Sequence, residues 1–382
     1  MRILYLATHN TSCGIATYTE QLRSAMPIEH DIVRLPDKSE PELLDVSLRL
    51  FIEKAVSYDA VHIQHEHGLF VGAGDVSDAI ERFGVLLEQL CKLDVRTYVT
   101  FHSDPVFYNS KIEWSVLGLM RSCLSRMWRK QVARWFQPKH KTTAIVHTER
   151  TRREFIKSTF NKTNVIVIPH GVLCRKLKPN TIDPNKTINM SIFGFISDYK
   201  GYHVALNALQ HLPSNYRLIC MGGRHPTSDG DEYSQILQHA NNIDRCIVEH
   251  DLHLAGHVQV QDRLTITGFL NDEQADHWHA QTHICLAPYT DKTLSGSGAL
   301  TWSITSGRPT IASDIPSFRA INDEYQCMQL FKTDAFHELA WSIKRVVNDV
   351  KYQRALIDGA MSYAEQLSWS NVAKTHINLY NS

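Results

Sequence analysis

Short apolar runs alternate along the whole chain with longer stretches in which apolar residues recur every three to four positions. That alternation predicts an α/β fold in which parallel strands are joined by helices packed on both faces of each sheet. In the first half, strands are predicted at residues 2–7, 60–64, 96–101, 143–147 and 165–169. A second series starts at 188–193 and continues at 216–221, 264–267, 283–287 and 309–312. Two doubly wound, Rossmann-like domains are expected, at 1–170 and 187–364. Between them, 171–186 holds Pro179, Asp183, Pro184 and Asn185, which break periodicity and supply turn chemistry, so this segment is read as a linker. Near the end, Val372, His376 and Tyr380 share one face, predicting a terminal helix within 365–382.

The 382 residues are enough for two hydrophobic cores, and 43% hydrophobic with 21% charged residues is an ordinary globular composition. Forty Lys plus Arg offset forty Asp plus Glu, so no overall field draws the protein to nucleic acid or an anionic membrane. Locally the picture differs. Within 114–148, Arg121, Arg126, Arg129, Lys130, Arg134, Lys139 and Lys141 are interleaved with Leu117, Met120, Leu124, Trp128, Trp135 and Phe136, with no acid between Trp114 and Thr148. Such a stretch suits either a helix packing its apolar stripe on the sheet or peripheral contact with an anionic membrane. Stacking on nucleic acid bases is a third use of aromatics among cations. The eight cysteines lack the close pairing of a zinc or redox motif, and Met1 leads straight into an apolar strand with no signal-like region. A cytoplasmic protein, peripheral at the inner membrane face if 114–148 binds lipid, is expected.

In open parallel sheets, ligands bind beyond the carboxyl ends of the strands, and the chemically capable residues follow strands here. His102 and Ser103 follow TYVTF, His147 follows AIV, His170 and Gly171 follow VIVIP, and Gly194 follows SIF. Gly14, in NTSCGIATYT, stands where a helix opens after the first strand. There a glycine serves a turn or lets backbone approach an anion. Lys200 lies between the strand-end Gly194 and the next helical pattern, in reach of a diphosphate. Ser295, Gly296, Ser297 and Gly298 form a small-residue loop before another helix, again offering amides to an anionic or hydroxyl-rich ligand.

The ordered series CGIATYTEQL, VHIQHEHGLF, TFHSD, IVHTE, VIPHGV, FGFISDYKG, ITGFL, APYTD, SGSGAL and GRPTIASD resembles glycosyltransferase family 4 over nearly the whole chain, and the terminal SWSNVAKTHINLY is similar to that family's last helix. The resemblance implies the GT-B architecture, two Rossmann-like domains facing an interdomain cleft, with the last helix returning to the N-terminal domain. It implies a retaining glycosyltransferase that moves a sugar from a nucleotide-diphosphate donor to an unidentified acceptor without a cofactor or bound metal. By position, His102 and Lys200 would be catalytic, His102 bonding the transferred sugar and Lys200 neutralising the leaving diphosphate. Gly14, Gly194, Gly268, Asp291, Ser297 and Gly298 would bind the donor, the chain around Gly268 lining its base pocket. His65 and His147 would lie on the acceptor side.

The sequence departs from that pattern where relatives often carry arginine, here Phe195, and near two paired glutamates, where Leu294 and Trp302 stand. Other functions of the same architecture stay open at this stage: a nucleotide-sugar epimerase or phosphorylase, a non-catalytic sugar-binding protein, or a DNA-modifying glycosyltransferase.

Overall fold

The computed structural model describes residues 1–8, 14–36, 39–102, 127–130, 134–158, 163–173, 180–224, 230–249, 259–292, 294 and 297–382. Ser103, the segment 9–13, residues 295 and 296, and most of the basic stretch up to 126 lie outside them. The chain divides into two compact units, Met1–Gly171 with Trp369–Ser382, and Val172–Ser368.

The first unit is built on a parallel sheet of β1 (Arg2–Thr8), β2 (Glu29–Leu35), β3 (Ala60–His65), β4 (Arg96–Phe101), β5 (Thr142–Val146) and β6 (Val165–Val167). Their spatial order is β2-β1-β3-β4-β5-β6, so the winding reverses between β1 and β3. Strands β1 and β3 are buried along nearly their whole length, as expected of inner strands covered on both faces. The edge strand β2 buries only Val33 and Leu35. Helix Val76–Lys92 covers one face with Ile80, Phe83, Leu87 and Leu90, and starts at a capping box between Asp75 and Asp78.

Helix Trp369–Asn381 belongs to this unit and fills its other face. Tyr380 is fully buried, with its hydroxyl 2.5 Å from His62 Nδ1 and 3.3 Å from the Tyr5 hydroxyl. Arg96 and Tyr98 on β4 donate to the last carbonyls, those of Tyr380 and Leu379. Cations and hydroxyls thus meet helix carbonyls that have no partner within the helix.

The second unit contains β7 (Ile188–Phe193), β8 (Tyr216–Met221), β9 (Leu264–Ile266), β10 (Ile284–Ala287), β11 (Thr310–Ser313) and β12 (Met328–Phe331), all parallel, in the order β12-β11-β10-β7-β8-β9. This is the dinucleotide-fold order, with its reversal between β7 and β10, where Ile284 pairs with Met190 and Cys285 with Ser191. The core packs Met190, Ile192, Leu218 and Leu286 against Leu206 and Leu209 of helix Tyr202–Leu209 and Ile343 of helix Phe336–Asn348.

Candidate functional site

At the reversal of the second sheet, the chain leaving β7 turns at Gly194, whose φ of 106° is open to glycine and strained for other residues. Its N–H still donates to Met221 O, at 2.9 Å. A Cβ there would lie 2.9 Å from both Lys200 Nζ and the Ala299 methyl, so the missing side chain is what lets three segments converge. Gly201 (φ 71°) does the same on the other side, since a Cβ would meet Pro288 O at 1.8 Å. The loops following β7 and β10 are further tied by Thr290 N–H donating to Tyr199 O at 2.9 Å.

Pressed between these loops, Lys200 is only 3% exposed. Its ammonium donates to the Tyr289 hydroxyl at 2.5 Å and to Phe193 O at 3.3 Å, and stands 4.6 Å from the Tyr289 ring centre. Burial lowers its pKa to about 8, with a smaller opposing effect from Tyr199. Tyr289, itself buried against Phe318, reaches Ser297 Oγ at 3.0 Å. Ser297 is the N-cap of helix Gly298–Thr305, accepting from Leu300 N–H at 3.1 Å. Gly298 opens the helix exposed, with nothing within 4 Å of where its Cβ would be. Gly194, Lys200, Ser297 and Gly298 are therefore brought together, and the arrangement joins a buried cation to a helix N-terminus, a setting suited to an anion.

Asp291 follows Tyr289 by two residues and is half-buried. Gly268 (φ 77°) follows β9, two strand spacings or about 10 Å from β7. It precedes Phe269, 66% exposed, whose ring lies 6.2 Å from that of Phe195 at an interplanar angle of 30°. At the two positions where the family 4 resemblance leads one to expect glutamates, Trp302 stacks on Phe193 at 4.7 Å and Leu294 packs on the core around Tyr289 and Phe318.

The first unit gathers imidazoles at the carboxyl ends of β4, β5 and β6. The rings of His102, His147 and His170 lie 4.7, 5.4 and 5.0 Å from that of Tyr18 on helix Gly14–Ser24, and Trp369 closes the group at 5.0 Å. His102 Nε2 is 2.8 Å from Gln64 Oε1. His147 Nδ1 donates to Ile168 O at 3.0 Å, which fixes its tautomer and leaves Nε2 a buried acceptor with no hydrogen-bond partner among the described residues. Burial, then neighbouring His170, pulls His147 down to about 3, and burial followed by His147 pulls His102 well below the usual histidine range. Both rings are neutral at physiological pH.

His65 is placed differently. It is 1% exposed and packed between Phe83, Phe70, Phe101 and Trp128, with His67 at 4.9 Å, inside the core rather than in the group around Tyr18. Gly14 begins its helix, exposed and unobstructed. Trp128, Trp135 and Phe136 from the basic stretch are core residues, whereas Leu117, Met120, Leu124, Arg121 and Arg126 lie outside the described residues. Among the described residues no group of three or more His, Cys, Asp or Glu could hold a metal ion, and no helix is long and apolar enough to cross a membrane. Tyr289, Tyr18 and Trp369 line these candidate sites without being singled out by sequence; APYTD and IATYT contain the tyrosines, but only the folded contacts distinguish them from any buried aromatic.

No protein-family model matches the chain, and no curated protein matches it in sequence. Solved structures do resemble it. HepE from Anabaena, in complex with UDP, has a TM-score of 0.70 at 13% identity, covering 100% of both chains, and it has also been solved with UDP-glucose. Sucrose-phosphate synthase from Thermosynechococcus elongatus matches with a TM-score of 0.68 at 17% identity, covering 100% of this chain and 98% of that one. A glycosyltransferase from Rickettsia africae matches at 0.68 and 12% identity, over 99% and 97% of the two chains. The fold is accordingly that of solved GT-B glycosyltransferases: α/β, with two parallel six-stranded sheets flanked by helices.

Proposed function

We propose that this chain is a glycosyltransferase that takes its sugar from a nucleotide-diphosphate donor and passes it, with retained anomeric configuration, to an acceptor yet to be identified. The observation that carries this reading is Lys200. Its ammonium is buried, among the described residues only phenol and carbonyl oxygens receive it and no carboxylate contributes to its charge state, and it stands beside the N-cap of helix Gly298–Thr305. A cation so placed is costly until an anion arrives. A diphosphate leaving group supplies that anion, and its charge grows as the glycosidic bond breaks, so Lys200 and the helix amides would favour the transition state over the ground state. The resemblance to family 4 supports retention, with the acceptor attacking on the leaving-group face, and supports transfer without a protein-held metal. The complexes of HepE with UDP and UDP-glucose support the donor class. His102, a neutral imidazole at the carboxyl edge of the first sheet, is proposed to hydrogen-bond a substrate hydroxyl.

Calorimetry with UDP, GDP and ADP tests donor binding. Turnover of the corresponding sugar nucleotides, with chelator present and the product anomer read by NMR, tests the rest. His102→Ala should lower kcat/KM by about tenfold or more, the cost of one substrate hydrogen bond. Failure of all three nucleotides to bind would overturn the proposal.

A further inference from the structure

The bond directions around Tyr289 carry one step more. A protonated lysine only donates, so at 2.5 Å the Tyr289 oxygen is the acceptor for Lys200. The tyrosine keeps its own proton, because burial raises its pKa, and among the described residues the acceptor in reach is Ser297 Oγ at 3.0 Å. Ser297 Oγ also accepts the Leu300 amide at 3.1 Å, so both of its lone pairs are engaged. Its hydroxyl proton then points away from both donors and, among the described residues, is left for an anion. We infer that Tyr289 is a positioning residue for the diphosphate site, coupling the Lys200 ammonium to the Ser297 hydroxyl so that both are presented to the same phosphate oxygens. This rests on the donor reading proposed above, but the coupling itself exists in the ligand-free protein and can be measured there.

Tyr289→Phe removes the hydroxyl and keeps the ring that packs on Phe318 and faces Lys200. The lysine cation then loses a hydrogen-bond acceptor that favours its charged form, so its pKa falls below about 8. Two measurements follow. In the ligand-free protein, NMR titration of the Lys200 side chain should show its midpoint drop by about one pH unit in Tyr289→Phe. In calorimetry with UDP, wild-type affinity should decline as pH rises through the free-lysine midpoint near 8, because the diphosphate binds the ammonium form. Tyr289→Phe should bind about tenfold more weakly at pH 7.5, with the decline shifted to lower pH. Ser297→Ala should be non-additive with it, the double variant losing less than the product of the two single losses. A Lys200 midpoint unchanged in folded Tyr289→Phe would overturn the coupling whether or not UDP binds. An unchanged UDP affinity and pH profile, with wild-type binding intact, would overturn its role in the site. If none of UDP, GDP and ADP binds either protein while the midpoint still shifts, the donor reading fails and the phosphate-positioning role fails with it.

Discussion

Lys200 shows how a residue proposed to bind the donor diphosphate weighs on the free protein. Its folded pKa of about 8 lies below the ordinary lysine value of 10.5, so the unfolded chain holds the proton more tightly between those values. Native stability is therefore reduced by the lysine at neutral pH and recovers as pH rises from about 8 towards 10.5. Lys200→Met, which fills similar space without charge, should stabilise the ligand-free protein by roughly 1–3 kcal/mol, a rise of several degrees in Tm, while abolishing diphosphate binding. A scanning-calorimetry comparison checks it; a lower Tm would mean that the ammonium is solvated or paired in solution. The sequence made Lys200 legible through its place between a strand-end glycine and a helix. Nothing local distinguished Tyr289, because its significance comes from an oxygen shared by two segments 89 and 8 residues away in sequence. His65 taught the opposite lesson: a strand-end histidine ended inside an aromatic core because β3 is an inner strand with both faces covered.

Strands with continuous apolar runs were readable to within a residue or two, as β4, β7 and β8 show. The two that pattern reading passed over, β2 and β12, are the edges of their sheets. In β2 polar Glu29, His30 and Asp31 precede the first buried residue, and in β12 Gln329 interrupts a short apolar run, so neither offered a continuous hydrophobic signal to mark it. The basic stretch allows three readings from sequence, helix packing, membrane contact and base stacking, and its described aromatics lie in the core: Trp128, Trp135 and Phe136 are at most 5% exposed. The peripheral attachment proposed for this element can draw from its described part only on exposed cations, Arg129, Lys130, Arg134, Lys139 and Lys141, the last already paired with Asp94. Co-sedimentation with anionic vesicles should appear near 50 mM salt and vanish by about 300 mM, with none on neutral vesicles. Binding that survives high salt would require apolar insertion and refute a purely electrostatic hold.

Across the molecule, neutral buried imidazoles are concentrated in the first unit. His62, His65 and His102 are held well below the histidine range by burial, His67 at about 4, and His147 and His376 at about 3. Among the described residues neither ring nitrogen of His65 or His376 has a hydrogen-bond partner, so protonation would place an unpaired cation in the interior. Because folded values lie below the unfolded value near 6.5, stability is complete above it and is lost as pH falls. Each such group costs about 1 kcal/mol by pH 5.5, and several together approach the whole stability of a domain. Among the described residues of the second unit, His279 is buried, while His211, His239 and His283, whose values are lowered, are only partly enclosed or exposed. Hydrogen exchange read peptide by peptide, corrected for intrinsic rates, should show the first unit opening between pH 6 and 5 while the second stays protected. Simultaneous opening, or the reverse order, would contradict the neutral-imidazole account.

The first unit is also discontinuous in the chain. Its Tyr5–Tyr380 and His62–Tyr380 contacts join residues 375 and 318 positions apart. On a ribosome adding roughly 5–20 residues per second, the surface of β1 and β3 emerges at least ~15 seconds before the helix that seals it, with Val172–Ser368 translated in the interval. During that delay the nascent sheet carries an open seat for one particular helix, a target for chaperones or for the same helix of another nascent chain. The seat should be addressable from outside. A chain ending at Ser368 should bind a fluorescent synthetic peptide of residues 369–382, detected by anisotropy, and a peptide carrying Tyr380→Ala should not compete for it.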